Sequence, residues 1–339
     1  MTIPSDMIAI VITAPGGPDM LQPKRQPVPV PKPDEVLIRV AGAGLNAADL
    51  GQRRGSYAPP LGASPLPGLE VSGEVAALGE GVPRFAIGDR VVALTNGGGY
   101  AEYVSVPAGQ VLPLPRGWSL LEGATLPETF FTIEQTLVLR AGLMPGMFVL
   151  IHGAAGGIGG TAIQVARLWG ARPLAVVSSQ EKAEYALGLG AEAAIRHDSE
   201  DFVARTMALT DEHGADRVVD VVGGETLDRS ISASARGGHI VLISTAAGPK
   251  SEINAARLMM KQLTLSGSTL RPQPSAEKAR IARSLEANVW PALADGRIGK
   301  PRIRRFALDE APTAHRALED RGNYGKILLA TDWGSRQVD

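Results

Sequence analysis

The clearest chemical signal in the sequence is a glycine-rich segment that directly follows an apolar run. Val149–His152 leads into glycines at positions 153, 156 and 159, and helix-forming residues come next. Glycines let the backbone approach a pyrophosphate, and the free N–H groups of a helix N-terminus stabilise its charge. The spacing G-x-x-G-x-x-G departs from the commoner G-x-G-x-x-G, so the strand–turn–helix context carries the prediction rather than the motif. The residues of this predicted dinucleotide site are Gly153, Ala154, Ala155, Gly156, Gly157, Ile158 and Gly159.

The next predicted strand ends in hydroxyl groups, about twenty-five residues after the first glycine. Proteins that prefer NAD usually carry Asp or Glu there, to bind the ribose hydroxyls. This sequence has Ser178 and Ser179, with Lys182 three residues further on. A hydroxyl and an ammonium suit a 2′-phosphate, so we expect NADPH as the cofactor. An ordinary solvated helix lysine is the alternative for Lys182.

The elements around these residues indicate an α/β protein. Up to about residue 125 the chain has short strands separated by Pro and Gly, as in an open β-barrel. From Pro127 onward strands alternate with helices, which predicts a doubly wound parallel sheet of the Rossmann type. The last segment is mixed and is expected to return to the first domain. We therefore assign residues 1–126 and 267–339 to one domain and residues 127–266 to the dinucleotide-binding domain. The later expected elements include helices at 130–140 and 276–295 and strands at 217–222 and 239–244.

Composition excludes several classes of protein. The net charge of −1 offers no electrostatic footprint for nucleic acid. The chain has no cysteine, which rules out disulfides, cysteine nucleophiles and thiolate metal sites. An uncharged stretch at 143–166 is long enough for a membrane span, but its glycines divide it into strand, turn and helix. The N-terminus lacks the pattern of a secretion signal. We expect no membrane contact and a cytoplasmic location.

Motifs spread along the chain resemble one known family. The chain is similar to the zinc-independent quinone oxidoreductases of the medium-chain dehydrogenase/reductase superfamily, of the zeta-crystallin and tumour-suppressor-inducible quinone reductase type. The resemblance runs from about residue 7 to 330. Its motifs are GLNAAD at 44–49, RRGSY at 53–57, PGLEVSG at 67–73, GDRV at 88–91, LIHG at 150–153, GSTLR at 267–271 and GKI at 325–327.

The resemblance implies a GroES-like β-barrel catalytic domain beside the Rossmann domain, and NADPH-dependent transfer of hydride to a quinone without a metal. Where zinc members of the superfamily carry a Cys and a His ligand, this chain has Gly44 and Leu69. Tyr57 and Asn46 are the implied catalytic residues. The resemblance also implies that Lys326 lies near the cofactor. Arg196 and His197 stand where the family has a Tyr at the 2′-phosphate. The remaining implied cofactor contacts are Thr132, Ser244, Thr245, Gly267, Ser268 and Thr269.

Several alternatives stay open at this point. Asn46 is also well placed to cap the helix after it, and Tyr57 to pack in a loop. The acceptor is a quinone or an activated alkene, since an enone or enoyl reductase on the same scaffold differs only in pocket shape. Two further hypotheses remain. The protein could be a low-turnover NADPH-binding protein, as the crystallins of this family suggest, or an RNA-binding protein. The family also implies a homodimer.

Overall fold

The computed structural model describes residues 2–320 and 322–337. The chain forms two compact units. Unit 1 comprises Met1–Phe131, Arg271–Asp295 and Lys300–Asp339, and unit 2 comprises Thr132–Leu270 and Gly296–Gly299.

The elements are numbered in chain order. The strands are β1 (Asp6–Ile12), β2 (Leu21–Pro27), β3 (Glu35–Gly44), β4 (Glu70–Leu78), β5 (Arg90–Leu94), β6 (Tyr103–Pro107), β7 (Val111–Pro113), β8 (Phe148–His152), β9 (Arg172–Val177), β10 (Ala193–Arg196), β11 (Ala215–Asp220), β12 (Ser234–Leu242), β13 (Thr264–Gly267), β14 (Ile303–Ala307) and β15 (Lys326–Ala330). The helices are α1 (Ala47–Arg54), α2 (Leu120–Gly123), α3 (Pro127–Ile133), α4 (Gly157–Leu168), α5 (Gln180–Gly188), α6 (Phe202–Leu209), α7 (Glu225–Ala233), α8 (Ala255–Met260), α9 (Ser275–Asn288), α10 (Trp290–Ala294) and α11 (Ala311–Glu319).

Unit 1 is built on a mixed sheet with strand order β14-β15-β3-β4-β5-β7, in which β6 also pairs with β3. Strand β3 is apolar along most of its length and is buried on both faces. It runs antiparallel to β4 and β15, with Ala43 opposite Val71 and Gly44 opposite Leu328. The end of β3 therefore meets the starts of β4 and β15. This register places the residues that follow β3 beside Glu70 and Lys326.

Unit 2 is a six-stranded parallel sheet with the order β10-β9-β8-β11-β12-β13. Counted from β8, this is the order 3-2-1-4-5-6 of the Rossmann fold. Strand β8 is buried at every residue because FVLIH is apolar up to its final histidine. The strand order reverses between β8 and β11, and ligands of such sheets bind outside the carboxyl ends of the strands at this point. The predicted doubly wound sheet is confirmed.

Several predicted elements end at different residues in the structure. The helix expected over 276–295 is two helices, α9 and α10, because Pro291 in the first turn of α10 has no N–H to continue α9. The helix expected over 130–140 is α3 followed by a π-helical segment, Glu134–Arg140. Strand β11 ends at Asp220, whose carboxylate accepts the N–H groups of Val222 and Gly223 and so turns the chain. Strand β12 begins at Ser234, five residues earlier than expected.

Candidate active site

The glycine turn of unit 2 lies between β8 and the first turn of α4. Gly153 has a φ of +62°, a conformation that favours glycine. A Cβ on Gly159 would overlap the Ala154 backbone, so only glycine fits there. A Cβ on Gly156 would meet only the Gly153 carbonyl, at 3.4 Å, which leaves the outer side of the turn open. Helix α4 begins directly afterwards, and its first N–H groups have no acceptors within the helix. The turn therefore has the geometry of an anion site.

The predicted 2′-phosphate residues lie together at the adjoining ends of β9 and β10. Lys182 Nζ donates to Ser178 Oγ at 3.1 Å, and Ser179 Oγ caps α5 by accepting the Lys182 N–H. The parallel register places Arg196 beside Val177, and His197 donates its N–H to the Val177 carbonyl.

The guanidinium of Arg196 is already paired in this cluster. Its Nη2 lies 2.9 Å from Asp198 Oδ2 in a partly exposed ion pair. A phosphate would have to compete with Asp198 for this side chain. The sequence pattern placed Lys182 first at this phosphate and let Arg196 add charge, and the ion pair with Asp198 agrees with a secondary role for Arg196.

The other predicted cofactor residues of unit 2 follow neighbouring strands. Ser244 and Thr245 come after β12, while Gly267, Ser268 and Thr269 end and follow β13. These strands pair in parallel, and the Ser268 N–H donates to the Leu242 carbonyl. The Ser268 hydroxyl lies 3.3 Å from Gln135 Oε1 of the π-helical segment. Thr132, at the end of α3, is buried. The carboxyl edge of one sheet thus carries the glycine turn and both serine–threonine pairs.

In unit 1, Asn46 belongs to a buried ionic network. Its Nδ2 donates to Glu70 Oε1 at 2.9 Å, and its Oδ1 accepts from Lys326 Nζ at 2.9 Å. Lys326 Nζ also lies 2.5 Å from Glu70 Oε1, and both side chains are almost fully buried. The Asn46 amide is therefore bonded to both members of this ion pair, and Asn46 is also the N-cap residue of α1. Asp49 completes a capping box, because its carboxylate accepts the Asn46 N–H at 2.9 Å.

Tyr57 lies on the segment after α1 and is half-buried. Its Cβ is 3.0 Å from where a Cβ on Gly51 would be, so the absence of a side chain at Gly51 makes room for it. The Arg271 guanidinium carbon lies 5.6 Å from the centre of the Tyr57 ring. Arg271 is itself held by the Asn96 carbonyl, which accepts from its Nε and Nη2. Burial raises the pKa of Tyr57, and the Arg271 charge opposes that shift.

Two further carboxyl groups, those of Asp49 and Glu128, belong to the same part of unit 1 as the ionic network of Asn46. Burial raises the pKa of Asp49 to about 6, against the lowering effect of the Asn46 and Gly68 N–H groups. Burial, followed by the charges of Glu70 and Asp49, raises the pKa of Glu128 to about 8. The Glu128 N–H donates to Glu70 Oε2 at 2.9 Å, which ties α3 to the ion pair.

Behind Asp49, a buried hydrogen-bond chain supports α1. Arg53 Nη1 lies 3.2 Å from His315 Nδ1, and Tyr100 Oη lies 3.2 Å from His315 Nε2. Arginine can only donate, so Nδ1 must accept and Nε2 carries the proton. Burial lowers the pKa of His315 to about 3, which keeps the ring neutral. His315 is a structural residue of this chain.

Sequence reasoning missed Glu70, Asp49, Glu128 and Lys278 as members of the site. Glu70 and Asp49 fall inside the recognised motifs PGLEVSG and GLNAAD, and this position in the motifs was the signal for them. Glu128 and Lys278 lie on α3 and α9, far from the motifs in the chain, and only the fold brings their charges close to one another.

The structure also bears on metal and membrane binding. A Cβ on Gly44 would overlap Glu70 Oε1 and the Ala124 carbonyl, so any residue larger than glycine would clash at this position. Among the residues that the structure describes, no group of three or more His, Asp or Glu side chains is arranged to hold a metal ion. Within the same residues, none of the helices has the length and apolar character needed to cross a membrane.

The Rossmann strand order, the glycine turn and the separate mixed-sheet unit define a dinucleotide-binding dehydrogenase or reductase. Family models agree: residues 32–116 match the alcohol dehydrogenase GroES-like domain, and residues 157–288 match the zinc-binding dehydrogenase domain.

Comparison with individual proteins shows which dehydrogenases or reductases the chain resembles. The quinone oxidoreductase of Sus scrofa is 31% identical over 326 residues, which is 95% of this chain and 97% of the relative. A quinone oxidoreductase structure from Pseudomonas syringae pv. tomato has a TM-score of 0.85 at 32% identity, covering 96% of this chain and 99% of that one. The Escherichia coli quinone oxidoreductase complexed with NADPH has a TM-score of 0.84 at 29% identity, covering 95% and 99%. The chain belongs to the quinone oxidoreductase family of the medium-chain dehydrogenase/reductase superfamily, as the motifs predicted.

Proposed function

We propose that the protein is an NADPH-dependent quinone reductase that works without a metal. The observation that carries the proposal is the site at the end of β9, where Ser178, Ser179 and Lys182 converge and the strand end carries no carboxylate. Similarity to quinone oxidoreductases along nearly the whole chain, including one solved with NADPH, supports the acceptor and the cofactor.

The residues of unit 2 fit the cofactor. The open glycine turn and the N-terminus of α4 would hold the pyrophosphate, because unpaired N–H groups and the helix dipole favour an anion. Ser178, Ser179 and Lys182 would bind the 2′-phosphate. Ser244, Thr245 and Gly267–Thr269 would contact the nicotinamide end. When bound, NADPH supplies the hydride.

The residues of unit 1 would orient the acceptor. The bonds from Glu70 and Lys326 fix both ends of the Asn46 amide, so this side chain is positioned before any ligand arrives. Tyr57 keeps its phenol protonated, because burial raises its pKa. We propose that Asn46 aligns the acceptor and that the Tyr57 hydroxyl protonates or orients its oxygen. No step in this scheme uses a metal, consistent with Gly44 and Leu69 in place of ligands.

The test is steady-state oxidation of NADPH against ortho- and para-quinones, alkenals and enoyl thioesters. A quinone reductase should turn over quinones with the highest kcat/KM. Higher kcat/KM with alkenals or enoyl thioesters would favour the hypothesis that the protein is an enone or enoyl reductase. Tight NADPH binding without turnover of any acceptor would favour a low-turnover, crystallin-like NADPH-binding protein. A gel shift with single-stranded RNA tests whether the protein binds RNA.

We also propose that the protein is a homodimer joined through β13. This strand is at the edge of the parallel sheet in unit 2, and Thr264, Leu265 and Gly267 are exposed along it. Met259 and Met260 nearby in the chain are exposed by 66% and 68%. An exposed edge strand has unpaired N–H and C=O groups that can pair with a second copy. The cytoplasmic location expected from the sequence stays a prediction.

A further inference from the structure

Asp220 has a buried carboxylate at the end of β11, where the strand order of unit 2 reverses. Its Oδ1 accepts the N–H groups of Val222 and Gly223 at 2.7 and 2.9 Å. Its Oδ2 is also buried, and no donor bonds this oxygen among the residues that the structure describes. Because a buried carboxylate oxygen without a hydrogen bond destabilises the folded state, stability alone does not account for Asp220.

The loop at 221–224, which Asp220 shapes, packs against the glycine turn. Gly223 and Gly224 have φ of +65° and +57°, so the backbone of this loop adopts conformations that favour glycine. A Cβ on Gly153 would lie 2.9 Å from Val221 Cγ2, so the Val221 side chain lies directly against the turn. A shift of this loop would therefore change the shape of the proposed pyrophosphate site.

The same loop also packs against the segment that follows β12 and carries Ser244. The Val222 carbonyl accepts the Ala247 N–H at 2.9 Å. A Cβ on Gly223 would lie 3.3 Å from Thr245 Cα. The loop thus contacts the glycine turn on one side and the serine–threonine segment on the other, and its conformation sets the distance between them.

A second buried hydrogen bond holds the far end of the loop. Helix α7 begins at Glu225, directly after the loop, and its Ser230 Oγ lies 2.9 Å from His152 Nε2 at the end of β8. Burial lowers the pKa of His152 to about 4, so the ring is uncharged at neutral pH. Since β8 and β11 pair in parallel, His152 and Asp220 hold the two ends of the loop from neighbouring strands.

We propose that Asp220 is the positioning residue for the nicotinamide half of the cofactor, because it fixes the gap between the glycine turn and Thr245. The inference rests on the cofactor contacts proposed above for Ser244 and Thr245. A loop that is ordered before binding spares the ligand the cost of ordering it. The proposed 2′-phosphate site follows β9, which lies on the opposite side of β8 from β11. Asp220 should therefore act on the part that NADPH and NADH share.

The experiment measures the dissociation constants of NADPH, NADH and adenosine 2′,5′-bisphosphate by calorimetry. Asp220→Ala should weaken NADPH and NADH by the same factor, roughly tenfold, because the freed loop must be ordered on binding. Adenosine 2′,5′-bisphosphate has the 2′-phosphate and no nicotinamide, so its dissociation constant should stay within about twofold of the wild-type value. Asp220→Asn keeps an oxygen that can accept both N–H groups, and it should bind all three ligands nearly as tightly as the wild type.

Two further variants separate positioning from loss of stability. Asp216→Ala removes a carboxylate near the opposite end of β11, where it accepts the Phe148 N–H at 2.8 Å. It should lower the melting temperature and leave cofactor binding unchanged. Gly223→Ala strains the loop at φ +65° but keeps Asp220, and it should weaken NADPH and NADH equally. This variant tests the same loop even if Asp220→Ala does not fold.

Wild-type affinity for NADPH and NADH in both Asp220→Ala and Gly223→Ala would overturn the inference. An equal loss of all three ligands would also overturn it, because general damage to unit 2 has that result. Neither outcome changes the NADPH binding proposed for the wild type. If the wild type binds none of the three ligands, the proposed function itself is wrong and the inference falls with it.

Discussion

The strongest prediction concerns Lys182, the lysine proposed to bind the 2′-phosphate of NADPH. In Lys182→Ala, we expect NADPH to bind more weakly and NADH to bind as before, because only NADPH carries the 2′-phosphate. A hydrogen bond to a charged group contributes about 1.5–3 kcal/mol. Lys182 is partly exposed and held at 3.1 Å by Ser178, so the lower half of that range applies. The dissociation constant of NADPH should therefore rise by roughly 10- to 40-fold.

The assay titrates both cofactors into wild type and variants while protein fluorescence is measured. Arg196→Ala serves as the matched comparison and should have a smaller effect, since Asp198 already occupies that guanidinium. Asp198→Ala frees Arg196 and should tighten NADPH binding. The reasoning is refuted if wild type binds NADH as tightly as NADPH, or if Lys182→Ala weakens both cofactors equally. Either result would leave the Rossmann fold untouched.

Four other outcomes follow from the site. Tyr57→Phe should lower turnover by roughly ten- to a thousandfold with little change in melting temperature; unchanged kinetics in both Tyr57→Phe and Asn46→Ala would return these residues to structural roles. Lys326→Met leaves Glu70 buried without its partner and should destabilise the fold by about 3–5 kcal/mol in denaturant unfolding, whereas Lys326→Met with Glu70→Gln should recover part of that loss. Dialysis against a chelator should leave turnover intact, and activity restored by added zinc would contradict the metal-free scheme. Wild type should elute as a dimer in light-scattering chromatography and Leu265→Asp as a monomer; a monomeric wild type would disprove pairing through β13.

The fold could be predicted where local pattern and tertiary structure agree. The buried strand before the glycine turn and the alternation of strands and helices that follows it led directly to the parallel sheet. Strand β2 was missed because Pro23 and Pro27 argue against a strand. It forms because it pairs with β1 alone, so the prolines need no second partner.

The site was predictable only in its local part. The glycine turn and the serine–lysine cluster are each continuous in sequence, and their chemistry follows from residue type. The ion pair of Glu70 with Lys326 joins residues 256 apart, and the charges around Glu128 come from four different elements. A pKa depends on such neighbours, so the raised pKa of Glu128 could not be predicted from a local motif.

The charge balance in unit 1 explains why the acceptor should be one that becomes an anion. Lys326 and Glu70 form an ion pair and balance each other. At neutral pH, Lys278 and Arg271 are cations, Asp49 is a carboxylate and Glu128 is neutral, which leaves one positive charge. Hydride transfer to a quinone places negative charge on its oxygen, and positively charged side chains nearby stabilise the resulting anion. Above pH about 8, Glu128 loses its proton and so does Lys278, so the balance becomes negative and opposes the same charge. An electrically neutral group of side chains would show no such reversal. The side chains of this group therefore favour negative charge on the acceptor at neutral pH.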